Sequence, residues 1–444
     1  MEKDLTVGNE RKVMLLFALP MIMGNILQQF YNIIDTIVVG KFIGAEALAA
    51  VGTSFPLMVF LTSVIIGLCM GSGGVLSMCY GASDNDSFKK SVFISFFVIS
   101  AITIVICLLA FIFLDEILII LQVNSSISGM TKEYLCIIFV GIMFTAIYNY
   151  SAAILRSLGN SVVPVICMVT ATIINIVLDL YFVVELQMGV SGVAWATIIA
   201  QAVSAILVTG YLWRKEPLVR LERHHMVLER KLLHRIIHSS ALVSIQQSIM
   251  NFGILMIQGL VNSFGVTATA AFAAAVKIDA FAYIPVQDFG NAFGIFIAQN
   301  YGAGIKERIY IGMKEAIKIA TAFSILISVI VVVFAESLMK IFIHVGETRV
   351  IEIGVRYLRI EGIFYVGIGI LFLFYGFYRG IAKPEISLIL TIVSLGIRVL
   401  LAYILAPIAA IGLLGIWWAI PIGWILADIL GFSYYVKNKK AIGY

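Results

Sequence analysis

Long apolar runs without a charged residue recur along the chain, and they decide which solvent it can fold in. Val92 to Leu114 and Ile325 to Phe334 are two of them. Such runs suit α-helices in a bilayer, because barrel strands would alternate polar and apolar residues in short segments. Hydrophobic residues make up 61% of the sequence and charged residues 12%, against about 45–50% and about 25% in soluble proteins. A water-soluble globule is excluded. At about 20 residues per span plus short loops, 444 residues hold roughly twelve helices and no separate soluble domain.

Hydropathy breaks, Gly/Pro positions and charge clusters predict spans near 13–39, 47–80, 91–114, 129–155, 161–185 and 189–213, then 236–261, 266–300, 309–343, 350–377, 384–407 and 412–436. Between the sets, residues 214–235 carry Arg214, Lys215, Arg220, Arg223, Arg230, Lys231 and Arg235. This basic segment reads as a solvated connector with no nucleic-acid role. Lys89, Lys90, Arg156, Lys306, Arg308, Arg379, Lys383 and the tail cations Lys437, Lys439 and Lys440 fall on the linker's side of the membrane. The opposite loops hold only a scatter such as Lys41, Lys132 and Arg349. The positive-inside rule then puts both termini in the cytoplasm of a bacterial or archaeal cell, as an even number of spans requires. The first residues lack a small-residue cleavage site and read as a retained helix rather than a secretory signal.

The two sets repeat each other. At an offset of 221 (265 − 44), Gly44, Ala47, Ala49 and Ala50 meet Gly265, Ala268, Ala270 and Ala271, and Tyr80-Gly81-Ala82 meets Tyr301-Gly302-Ala303. Gly159 meets Gly380 at the same offset; Gly189, Gly192, Trp195 and Ala196 meet Gly412, Gly415, Trp418 and Ala419 at 223 (412 − 189). Six spans per repeat makes the repeats parallel, related by an axis along the membrane normal. The expected organisation is a first lobe over 1–213, a linker over 214–235 and a second lobe over 236–444, with a cleft between two like bundles. The five cysteines sit in apolar runs without metal-ligand spacing and read as packing residues. Four of the five histidines fall within His224–His238, so a histidine-based site in the membrane is not expected.

Polar side chains inside spans are costly, and ionisable ones are functional candidates. Asn25, Gln28, Asn32 and Asp35 share one face of the first span at i, i+3, i+7 and i+10, while Thr172, Asn175 and Asp179 share a face of the fifth. Asp35 lies 22 residues into its span (35 − 13) and Asp179 lies 18 into its own (179 − 161), roughly 27–33 Å at 1.5 Å per residue. Tyr134 and Thr197, on antiparallel spans, fall at a similar depth in the outer half of the bilayer. Two carboxylates, an amide, a phenol and a hydroxyl suit a hard monovalent cation or a proton, and not a soft metal. Neighbouring buried carboxylates repel, so such a pair needs a shared proton or a bound cation. Pro20 cannot donate to the carbonyl of Leu16, so a kink or hinge is expected there.

The second half does not carry these acids: Asp35 corresponds to Met256, and Asn175 and Asp179 to Arg398 and Ala402. It offers Gln247, Asn251 and Gln258 on one face, Lys277, Asp279 and Asp288 in the eighth span, and Arg398 in the eleventh. Structural or substrate-lining roles are favoured there over a second ion site, with Gln28, Asn32, Gln247, Asn251, Asp288 and Arg398 as candidates for the cleft. Glu361 and Asp428 read as structural or interfacial groups.

The stretch FALPMIMGNILQQFYNIIDTIVVGKFIGAEALAAVG, followed by LRSLGNSVVPVICMVTATIINIVLDLYF and GVSGVAWATIIAQ, resembles the multidrug and toxic compound extrusion (MATE) family, closest to its DNA-damage-inducible F-like branch. The second-half stretches AQNYGAG and YRGIAKP fit it as well, so the resemblance covers essentially the whole chain. It implies twelve helices in two six-helix lobes forming a V, and export of cationic or amphipathic organic compounds in exchange for sodium or protons. The family's cation site falls on Asp35, Tyr134, Asn175, Asp179 and Thr197, its bending proline on Pro20. The paired second-lobe acids of the other prokaryotic branch are not evident.

The expected protein is therefore a monomeric inner-membrane antiporter, not an enzyme, with no cofactor beyond the coupling ion. Sodium is slightly favoured because neutral oxygens accompany the acids. The rival of the same superfamily fold is a flippase for lipid-linked saccharides, which often carries extra spans and a cationic cavity. An enzyme is disfavoured because neither a GxxxxGK[ST] loop, an HExxH motif nor a nucleophile constellation is present. A passive channel would conduct without a counter-gradient.

Overall fold

The computed structural model describes residues 4–120, 123–344 and 346–438, without the side chains of 31–33, 120 and 438. Asn32 as a side chain, and Lys439 and Lys440, lie outside the described residues. In chain order the helices are α1 (Glu10–Val38), α2 (Ala45–Gly81), α3 (Asn85–Ile112), α4 (Leu114–Ile120), α5 (Ser125–Ser157), α6 (Val162–Leu180), α7 (Gly189–Lys215), α8 (Arg230–Asn262), α9 (Val266–Gly302), α10 (Lys306–Phe342), α11 (Thr348–Ile363), α12 (Tyr365–Gly380), α13 (Pro384–Leu405) and α14 (Leu413–Asn438). No strand occurs among the described residues.

Among the described residues eleven helices are long and apolar enough to cross a membrane, and α11 with α12, bent by 53°, makes a twelfth if the pair counts as one broken span. The fold is all-α, with eleven to twelve candidate spans among the described residues. The break falls at Phe364, whose φ of −103° and ψ of 12° leave the helical range; the hydropathy of 350–377 reads as one continuous span. A second departure is α4, placed where a loop is expected. Asp115 and Glu116 occupy its first turn, favourably for the helix dipole, and Leu114 and Leu118 are buried.

Local chemistry explains the helix ends. The Asp84 side chain accepts from the N–H of Ser87 at 3.0 Å, and that of Asn124 from Ser126 at 3.1 Å, capping α3 and α5. Gly44 and Gly265, paired by the repeat, precede α2 and α9 at φ of 120° and 93°, a region that L side chains rarely enter. Exposed apolar residues form lipid-facing stripes, such as Ile325, Val329 and Val333 on α10. All five cysteines are free; four are buried and Cys136 is half-buried.

The chain forms two compact units, one spanning Met23–Ser244 and the other Leu5–Ile22 with the chain from Ile245 onward. The first helix of each repeat thus passes from one unit into the other midway, at residues 22/23 in α1 and 244/245 in α8. The offset is 222 (245 − 23), close to the repeat itself. Relative to lobes at 1–213 and 236–444, the start of each leading helix is exchanged. Close packing holds the start of α8 in the first unit. A Cβ on Gly67 would lie 2.3 Å from Ser244 Cα, and one on Gly71 would lie 2.5 Å from Ser240 Cα. Across this contact Ser239 and Ser240 donate to the carbonyls of Gly71 and Leu68, both at 3.1 Å, and Ser244 donates to that of Val64 at 2.5 Å. Small residues and hydroxyls of this kind let helices approach in lipid.

Polar bonds hold the start of α1 in the second unit. Leu5 N donates to Gln299 Oε1 at 3.1 Å. Arg308 donates to the Leu5 and Gly8 carbonyls and to Glu10 Oε1, at 3.1, 2.6 and 3.0 Å. α1 runs through Pro20 as one helix, and its packing changes unit just beyond that residue.

Candidate cation site

In the first unit α5 packs against α2 and α7, and α6 against α7. Asp35 of α1 and Asp179 of α6 come together in this unit, their carboxyl groups within hydrogen-bonding reach of each other. Two carboxylates only accept, so acids this close call for a shared proton or a cation between them. Asp179 is 1% exposed. Among the described residues the buried Oδ1 of Asp35 receives no hydrogen bond. Tyr134 of α5 lies within electrostatic reach of both acids. Asn175, 2% exposed, sits one turn before Asp179, and half-buried Thr197 belongs to α7.

The backbone changes character just past both acids. A π segment, Val39–Ile43, follows α1, and another, Tyr181–Glu185, follows α6. The two touch each other, and each packs on α7. Their wider winding shifts helix register immediately beyond Asp35 and Asp179, and π turns of this kind concentrate at functional sites. Val38, Val39, Val183, Val190 and Val193 close a small apolar cluster against Tyr134.

In the second unit the structure assembles a group that sequence spacing does not reveal. Tyr357, Glu361 and Tyr365, four residues apart, meet Asp279 of α9. Tyr365 donates to Asp279 Oδ1, Glu361 and Tyr357 lie within hydrogen-bonding reach of Asp279, and Arg398 of α13 lies in electrostatic reach. All but Arg398 are buried. Paired acids are not evident in the second half of the sequence because these partners are 82 residues apart (361 − 279) and on different helices, so no single-helix pattern shows them. Arg398 thus sits with these acids, and its buried Nε makes no hydrogen bond among the described residues.

The other candidates are separate. Gln28 is exposed; Asn251 donates to the Gln247 carbonyl within α8 at 3.2 Å; Asp288 is 4% exposed. The neighbour of Gln247 is the buried one. Gln246 donates to Thr391 Oγ1 and accepts from Ser387, both at 3.0 Å, a lock that the Gln-Gln doublet hides.

One group among the described residues has metal-like spacing: Asp86, His224 and His225. The Glu222 N–H donates to His225 Nδ1 at 3.1 Å, which puts the ring hydrogen on Nε2. That atom faces Asp86 Oδ1 at 3.6 Å, and Lys90 lies 2.7 Å from the same carboxylate. The group ties the linker to α3 through polar contacts.

A family model described as MatE matches residues 20–181 and 240–404, one stretch in each repeat. The chain belongs to the MatE family. Among its relatives, the probable multidrug resistance protein YpnP of Bacillus subtilis (strain 168) is 28% identical over 436 residues, covering 97% of this chain and 96% of that protein. A Shewanella oneidensis protein named FAD transporter is 26% identical, covering 96% and 94%. A solved outward-facing conformation of a multidrug resistance MATE family transporter of the MOP superfamily superposes with TM-score 0.93 at 25% identity, covering 99% and 98%. MatE proteins are membrane transporters that handle small organic compounds, and this chain is a transporter rather than an enzyme.

Proposed function

We propose that this MatE protein is a secondary active exporter. It exchanges cationic or amphipathic organic compounds for an inward-moving sodium ion or proton held at Asp35 and Asp179. The observation that carries the reading is the carboxyl pair itself, two acids from different helices within hydrogen-bonding reach of each other beside Tyr134. A site built that way must take up or release positive charge, and one charge crossing 100 mV is worth about 2.3 kcal/mol. The ion drives export only if it binds the two facing states with different affinity. α1 supplies a physical route, since it carries Asp35 in one unit while its start is fixed in the other. Pro20, close to that changeover, is the residue about which α1 bends. Asn175 and Thr197 complete the oxygen set around the ion. The protein acts as a monomer in the inner membrane, with both termini cytoplasmic.

The test is export from proteoliposomes with sodium and pH gradients imposed separately, using an organic cation and, because one relative is named for FAD, a flavin nucleotide. Asp35→Asn and Asp179→Asn should each cut gradient-driven export by about 5- to 150-fold, the usual range of a coupling energy, while the proteins still purify folded. Normal gradient-driven export by both variants rejects the site.

A further inference from the structure

We infer that the segment joining the two repeats is a docking surface for anionic lipid headgroups of the adjoining leaflet. The segment is folded. It makes 3-10 turns at Pro217–Val219 and Arg223–His225 that pack on α3, and Leu218, Val219 and Leu221 lie against the first unit's core. It is pinned at two points four residues apart: His225, 4% exposed, against Asp86 at 3.6 Å, and Glu229 against Lys90 at 3.4 Å.

Between those pins stand Met226, Val227 and Leu228, exposed by 50%, 52% and 47%. Three consecutive apolar side chains held outward on a pinned loop, while their neighbours pack inward, need an apolar partner. Arg223, Arg230 and Lys231 flank the triplet and are all exposed. Their charge selects the partner: apolar residues at headgroup depth with cations beside them fit a surface carrying phosphate. The level is right, because Arg230 opens the spanning helix α8. At the end of the preceding span Trp213, 71% exposed beside Arg214 and Lys215, carries the aromatic and basic signature of a membrane interface.

The experiment is local amide hydrogen exchange on the full-length protein in nanodiscs of phosphatidylcholine, with or without about one third phosphatidylglycerol. The anionic lipid should slow exchange across residues 223–231 by at least about threefold, and high salt should remove the difference. Arg223→Gln/Arg230→Gln/Lys231→Gln should abolish the lipid dependence. Met226→Ser/Val227→Ser/Leu228→Ser should exchange fast in both discs. Unchanged exchange in α2 and α3 certifies the fold of each variant, and Arg223→Gln alone, an exposed side chain outside the spans, should lose part of the effect. Equal exchange of the unaltered protein in the two discs, or slowing that survives loss of all three cations, overturns the proposal.

Discussion

Asp35 and Asp179 show what one sequence can and cannot say about a site. Their helix faces and depth are legible, because spacing at 3.6 residues per turn and rise per residue are properties of each span alone. Tyr134 belongs to the same group by depth and should contribute one hydrogen bond's worth of cation affinity. Tyr134→Phe should raise the cation concentration for half-maximal exchange roughly 2- to 12-fold, from a net bond of about 0.5–1.5 kcal/mol, measured in the proteoliposome assay. Asp279 with Glu361 was not legible, since neither residue lies on a striped face with another acid. The nearby Arg398 offsets that pair's charge, and removing one partner of a buried charged group costs about 3–5 kcal/mol. Arg398→Met should therefore lower the thermal unfolding midpoint sharply, and Glu361→Gln in the same chain should restore part of the loss.

At the level of elements, span positions are set by hydropathy and agree with the observed helices to within a few residues. The exceptions have local causes. Phe364 breaks a span between Gly362 and Gly367, glycines that the continuous hydropathy of 350–377 outweighs, and α4 forms from two acidic residues in the first turn of an otherwise apolar stretch. Helix crossings were hidden as well. Gly376 of α12 faces Gly290 of α9 so closely that an added Cβ would stand 2.2 Å from the Gly290 carbonyl oxygen, and Gly294 and Gly380 extend the same contact. The glycines are visible in the sequence, but their pairing depends on which helices become neighbours. Backbone cannot give way as a flexible side chain can. Gly376→Val should cost about 1–3 kcal/mol through overpacking and lower the midpoint in a detergent-solubilised melting assay, whereas Gly396→Ala, with open space around it in mid-helix, should hold or raise it.

Across the whole molecule the internal repeat reveals two six-span halves from the sequence, because Gly44/Gly265 and Gly189/Gly412 recur in both residue type and backbone geometry. The exchange of helix starts was not legible, because it depends on which surface each half-helix meets. It rests on specific bonds, and Arg308 makes several of them. Arg308→Gln should free the segment from Leu5 to Glu10, with limited proteolysis near Gly8 as the readout, and should destabilise the protein by about 1–3 kcal/mol, the cost of orphaned buried acceptors. The exchange also sets an order of events during biosynthesis. The leading helix enters the bilayer with its first turns waiting for Gln299, a partner 294 positions downstream, while the first bundle stays incomplete until the ribosome has delivered Ser244. A nascent chain halted in the connecting segment would hold two unfinished surfaces, so neither half matures as an independent product of translation.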